Sequence, residues 1–237
     1  MQSKKWNSTF PTDEQIWNSL KNKDIPRNIR GFLYKSMHDA YRIGHYWTQI
    51  PNHEQREKCG LCGQSETMEH ILLECDKSIT RQVVWREAKD VWTRRETHWP
   101  EIDLGTTLGS SLIKFKDTRG KLVPGKARLL TILLTEAAYL IWKLRCEHVI
   151  QHGNDQNKLH TPDEIMNRWH QAINIRLKMD RLHTDTLKYG KRALKEKLVL
   201  QTWSGVLHNE QDLPDNWIRA AGVLVGSTPR CPRGRNR

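Results

Sequence analysis

Apolar residues recur every three to four positions over most of this chain, and short polar, glycine- or proline-marked breaks separate these runs. That period is the signature of amphipathic helices packed on one face. The first predicted helix covers 13–23, with Ile16, Trp17 and Leu20 on one stripe and Thr12 or Asp13 as its cap. A second covers 26–42, opened by Pro26 and carrying Ile29, Phe32, Leu33, Met37, Ala40 and Tyr41, with Gly44 as its stop. A third over 78–97 has Ile79, Val83, Trp85, Ala88, Val91 and Trp92 in register, and Pro100 ends it. The segment 124–151 is apolar on nearly every face, which predicts the central buried helix. Thr161 and Glu164 form a capping box opening a helix to 182. A last long helix is expected over 184–207, with a short helical turn in 208–219. Strand signals are rare, confined to 112–115 and 223–225. The expected fold is mostly α, a helical bundle.

The 237 residues suffice for one large helical domain or two small ones. Gly105, Gly109 and Gly120 mark 101–123 as a loop or linker between an N-terminal half (1–100) and a C-terminal helical domain (124–226), and 227–237 reads as a basic disordered tail. Ten tryptophans against three phenylalanines give short helices large apolar anchors with one polar edge. The formal net charge of +12 calls for an anionic partner, nucleic acid first. No apolar run reaches membrane-spanning length, and the first residues lack the apolar core of a secretory signal.

The densest chemistry lies in 58–76, KCGLCGQSETMEHILLECD. Cys59 and Cys62 form a Cys-x2-Cys pair, and His70 and Cys75 follow. Three thiolates and one imidazole make a closed tetrahedral Cys3His set for one structural Zn2+, embedded as a small finger in the bundle. Gly60 and Gly63 reverse the backbone between the first ligands, and Thr67 or Ser65 can cap a short helix over 68–74. Because His70 and Cys75 are five residues apart, Cys75 must reach back from the end of that turn. Cysteines at metal spacing suit a reducing compartment, nuclear or cytoplasmic.

Basic residues flank the finger. Lys35, Arg42 and His45 follow one edge of the helix before it; Arg81, Arg86, Lys89, Arg94 and Arg95 lie on the helix after it. These are the candidate nucleic-acid contacts, with Tyr41, Tyr46 and Trp47 as candidate base-stacking rings or core residues. Lys188, Lys191, Arg192, Lys195 and Lys197 make a further basic face.

The stretch CGLCGQSETMEHILLEC resembles the reverse-transcriptase zinc-binding domain of non-LTR retroelements, with its C-x2-C … E-(T/S)-x-x-H-x-x-x-x-C pattern. The preceding IPRNIRGFLYKSMHDAYRIGHYW resembles that family's upstream helix, and AAYLIWKLRCEHVI with LPDNW resembles the C-terminal region of fungal retroelement polyproteins. The resemblance covers about 13–85 and implies that Cys59, Cys62, His70 and Cys75 hold zinc. It also implies binding to element RNA or target DNA during reverse transcription, beside the polymerase and RNase H parts of the same element. The chain contains no YADD-like polymerase motif, no RNase H acidic set and no endonuclease motif, so no catalytic residues are assigned. The alternative is a protein–protein interaction scaffold that uses the same finger without catalysis.

Overall fold

The computed structural model describes residues 11–226. The expected tail 227–237 lies outside them. Among the described residues the structure is helical, with three isolated antiparallel bridges in place of strands. Helix α1 (Asp13–Ser19) is closed by a capping box between Thr12 and Gln15. Helices α2 (Arg27–Met37), α3 (Ile79–Thr93), α4 (Leu104–Leu108), α5 (Pro124–Cys146), α6 (Pro162–Leu182), α7 (Thr186–Tyr189) and α8 (Glu196–Trp203) follow. Thr161 caps α6 by accepting from the Glu164 amide.

Helix α5 is the axis, about 34 Å long at the α-helical rise per residue. Every residue from Arg128 to Thr135 is buried, and so are most from there to Leu144, as an all-round apolar pattern requires. Helices α3, α6 and α8 pack around it, with α2 and α4 completing the cover. At its start Gly125 touches α8: a Cβ there would lie 2.3 Å from the Gln201 carbonyl oxygen. Trp92, Trp169 and Trp203 are fully buried among these helices. Two of them satisfy their indole N–H inside, Trp92 on the His98 carbonyl and Trp203 on Asp180.

Three expectations change. Residues 101–123 hold α4, capped by Asp103, and a 3-10 turn at Ser110–Leu112, with no strand at 112–115. Thr107 and Ser110 of this segment are fully buried, and one apolar cluster runs from Leu20 to Val225, so the two expected halves share a core. Helix α2 stops at Met37 because Asp39 takes a left-handed conformation (φ 48°). The helix expected over 184–207 is divided into α7 and α8 around Gly190 (φ 53°). Its first part carries Leu187, which is 98% exposed, so no continuous apolar stripe holds the two parts in one rod.

One buried ion pair crosses the core. The Arg128 guanidinium donates to both Asp180 carboxylate oxygens (2.6 and 2.8 Å) and to Asp24 (2.7 Å). Asp180 also accepts from Trp203 Nε1 at 2.8 Å. Removing one partner strands the other charge in the interior. Asp180→Ala is therefore expected to cost about 3–5 kcal/mol in urea unfolding, while Arg128→Met/Asp180→Leu restores part of that loss. A near-neutral Asp180→Ala would show that the pair is dispensable.

On α5, burial pushes the half-buried Glu136 carboxyl up to about 7; Arg176 and Lys143 oppose this, and Asp180 adds to it. The folded state thus holds this proton more tightly than the unfolded chain. Its contribution to stability is present at acid pH and falls as pH rises through the window from about 4.5 to about 7. The expected result is a Glu136→Gln variant that gains thermal stability over the parent as the assay moves from pH 5 to pH 8. A parallel pH dependence in the two proteins would contradict it.

Candidate metal centre

The four candidate ligand side chains are placed by two adjoining local structures. The first is a knuckle: the Cys59 amide donates to the Gln64 carbonyl (2.7 Å), the Gly63 amide to the Cys59 carbonyl (2.9 Å), and Lys58 bridges Ser65. Gly63 sits at φ 76°, a conformation that costs glycine little. The second is a short helical stretch that widens into a π-turn over His70–Glu74, started by Thr67, whose hydroxyl accepts from the His70 amide. The Cys75 amide donates to the His70 carbonyl at 3.0 Å, a bond between residues five apart. The wide turn brings His70 and Cys75, too far apart for one face of an α-helix turn, back beside each other.

Cys59, Cys62, His70 and Cys75 therefore converge, with their ligand atoms all within 4.8 Å of one another. Cys59 Sγ and Cys75 Sγ are 3.8 Å apart, and Cys62 Sγ lies 3.3 Å from His70 Nε2. A tetrahedral centre with metal–sulfur bonds near 2.3 Å puts its sulfurs about 3.8 Å apart. These four residues thus fit one metal ion. Cys59, His70 and Cys75 are buried and Cys62 is half-buried. Burial, then the neighbouring Cys59, pushes the Cys75 thiol up to about 12, and burial also raises Cys59. A bound cation would supply the positive charge that the crowded thiolates need.

The bundle grips this unit from two sides. From α3, Arg81 donates to the Cys75 and Leu73 carbonyls (3.0 and 2.8 Å), and Trp85 Nε1 donates to the Leu72 carbonyl (2.8 Å). The carbonyls freed at the end of the π-turn are thus satisfied by side chains. From α5, Arg145 forms a two-pronged pair with Glu66, which lies between the knuckle and the π-turn. Gly44 (φ 50°) packs directly under that residue, where a Cβ would lie 2.2 Å from the Glu66 carbonyl oxygen. Met68, Ile71 and Leu72 bury themselves in the common core.

The eight candidate nucleic-acid residues divide into two groups. Lys35, Arg42, His45, Arg86, Lys89 and Arg94 are exposed, although Arg86 pairs with Glu87 at 3.0 Å. Arg81 and Arg95 are half-buried and committed to the fold. Arg95 donates to the carbonyls of Gln201 (2.8 Å), Thr202 and Ser204, closing the end of α8. Of the three aromatic candidates, Tyr41 packs against Phe32 and Trp142, whereas Tyr46 stays exposed with the Arg42 guanidinium 5.6 Å from its ring centre. In the sequence Glu66 stands only as the acidic position of the E-(T/S)-x-x-H pattern, with no partner, and Arg145 has no assigned role. Glu66 had a signal, since it lies inside the cysteine motif, but Arg145, 79 residues away, had none. No helix of the described residues is long and apolar enough to cross a membrane. No family model, curated protein or solved structure matches the chain.

Arg145→Ala should weaken metal binding by about 10- to 100-fold, as loss of an outer support does. Competition between Co2+-loaded protein and a chelator measures it. Cys59→Ser is expected to lose the tetrahedral Co2+ spectrum altogether. Unchanged affinity in both variants would remove the centre from consideration.

Proposed function

We propose that the Cys3His centre binds one Zn2+ and that the chain is a zinc-stabilised nucleic-acid-binding module, the C-terminal portion of a non-LTR retroelement polyprotein. Soft thiolates with one imidazole favour zinc over magnesium or calcium. The observation that carries the reading is the closed, buried ligand set: protein supplies all four donors, so the ion has no open position for substrate and acts as a structural staple. In this reading the module has no catalytic activity of its own. It works in a reducing compartment, nuclear or cytoplasmic, where the three thiols stay available to the metal.

The chain's own residues do the binding. The +12 net charge supplies a general attraction, and the exposed Lys35, Arg42, His45, Arg86, Lys89 and Arg94 neutralise phosphates. Zinc contributes by fixing the π-turn against α3 and the knuckle against α5, which holds the residues before and after the finger in one frame. The element's polymerase and RNase H regions are the expected neighbours in the same polyprotein.

Fluorescence anisotropy of the zinc-loaded protein with RNA, single-stranded DNA and duplex DNA tests this. Binding should weaken with salt at a log–log slope of about −0.7 to −0.9 per phosphate contact. Chelation should abolish it together with the local fold. No binding at low salt, with the protein folded and loaded, would leave the protein–protein scaffold as the better reading.

A further inference from the structure

Helices α2, α5 and α6 enclose a groove of about 870 Å³. Its walls carry six cationic side chains, Lys23, Arg27, Arg30, Lys143, Arg168 and Arg176, and a single carboxyl, Glu136. Arg168 is neutralised by Glu147 and Glu164. Lys23, Arg27 and Lys143 are exposed, and among the described residues none of them has a carboxylate partner. Arg30 and Arg176 each use one nitrogen to hold the turn that enters α2. Arg30 donates to the carbonyls of Asn22 and Ile25, and Arg176 to that of Asp24. Arg176 also lies 3.8 Å from Asp180, whose charge is already taken by Arg128. Both arginines keep a buried Nε–H with no acceptor.

An ordinary solvated basic face does not have this form. There cations pair with carboxylates or point away from one another, whereas Lys23, Arg27 and Lys143 line one concave surface unpaired among the described residues, beside two arginines that the turn holds in place. The one carboxyl in the groove is raised by burial towards neutrality, so it opposes an anion less than its count suggests. The groove also offers apolar surface: Ile175 and Met179 are exposed along α6, and Tyr139 is among the lining residues. A second hollow of about 530 Å³ shares Asn28, Tyr139 and Lys143 with it and continues along α2 to Lys35 and Tyr41. Cations along a concave strip interleaved with aromatic and apolar surface are the features that hold single strands.

We propose that this groove is the track of a single strand of nucleic acid, with Lys23, Arg27, Lys143 and Lys35 on its phosphates, the Arg30 and Arg176 guanidiniums adding positive charge beside the same backbone, and Tyr139, Ile175 and Met179 against its bases. The proposal rests on the nucleic-acid reading above and adds to its α3 cations a second surface, one that holds a single strand.

The test compares two triple variants of the zinc-loaded chain by anisotropy with labelled single-stranded RNA, single-stranded DNA and duplex of one sequence. Lys23→Glu/Arg27→Glu/Lys143→Glu should lower single-strand affinity at least tenfold and reduce the salt slope by about 2, as loss of three contacts does. Arg86→Glu/Lys89→Glu/Arg94→Glu should lower single-strand and duplex affinity alike, and single-strand affinity by less than the groove triple does, because these side chains neutralise phosphates of either form without holding a strand. Thermal melts of each variant check folding, and Lys23→Gln/Arg27→Gln/Lys143→Gln replaces the first triple if charge reversal unfolds it. Tighter binding of either RNA or DNA single strands than of duplex supports the track and identifies its occupant. Strand binding that survives the groove variant but falls with the α3 variant overturns the groove and leaves the nucleic-acid reading standing. A parent protein that binds none of the three overturns both.

Discussion

Helix α5 is apolar on all sides, and that single constraint organises the molecule. A helix with one greasy stripe needs one neighbour; a helix buried all round needs a complete sleeve. Helices α3, α6 and α8, with α2 and α4, supply it, and the cluster they form gathers side chains from Leu20 through Val225. The polar groups on α5 that lie inside the sleeve have to be answered there. Arg128 is answered by Asp180 and Asp24, and Arg145 by Glu66. The first pair joins α5 to α6 and to the turn before α2. The second joins α5 to the metal-binding unit, so the core and the metal centre are fastened to the same helix.

That shared fastening explains how so short a ligand loop acquires a defined shape. A knuckle and one π-turn bury little apolar surface by themselves, and zinc-type units depend on their metal for folding free energy. Here Leu72 and Ile71 enter the common core while Arg81, Trp85 and Arg145 satisfy backbone and carboxylate groups around the ligands. A metal ion bound by these four residues would therefore be linked to packing onto α3 and α5, each lowering the ordering cost of the other. The four ligands report the centre's chemistry, but its rigidity comes from residues of the bundle.

Much of this was legible in the sequence, for identifiable reasons. The all-round apolar run of 124–151 has only one stable use, and α5 with its following π-turn at Glu147–Gln151 matches it. Thr12, Ser78 and Thr161 are short polar side chains directly before periodic segments, and each caps its helix. The ligand set was legible because cysteine and histidine spacing carries its own chemistry. What stayed hidden was non-local or conformational. The left-handed turn at Asp39 that shortens α2 has no marker stronger than an aspartate. The burial of Thr107 and Ser110 against α5 depends on partners far along the chain, so a glycine-marked segment read as a linker. Arg145 meets Glu66 across 79 residues, a pairing that no local pattern encodes.

The same limit applies to charge. A surplus of twelve positive charges says that an anion will be attracted, but not where, because arginine and lysine are used differently here. Arg81, Arg95 and Arg181 direct their forks at backbone carbonyls that end helices or hold loops, and Arg128 and Arg145 direct theirs at buried carboxylates. Such groups add to the field yet have little donor capacity left for a ligand. Lysines such as Lys23, Lys35 and Lys143 remain exposed without a carboxylate partner among the described residues, and Arg30 and Arg176 sit between the two cases, with one end of the fork engaged and a buried donor left over. Where such lysines and half-engaged arginines share one concave surface, net charge becomes a located binding potential. In the described structure that coincidence falls on the seam of α2, α5 and α6, not on the helix that follows the metal centre.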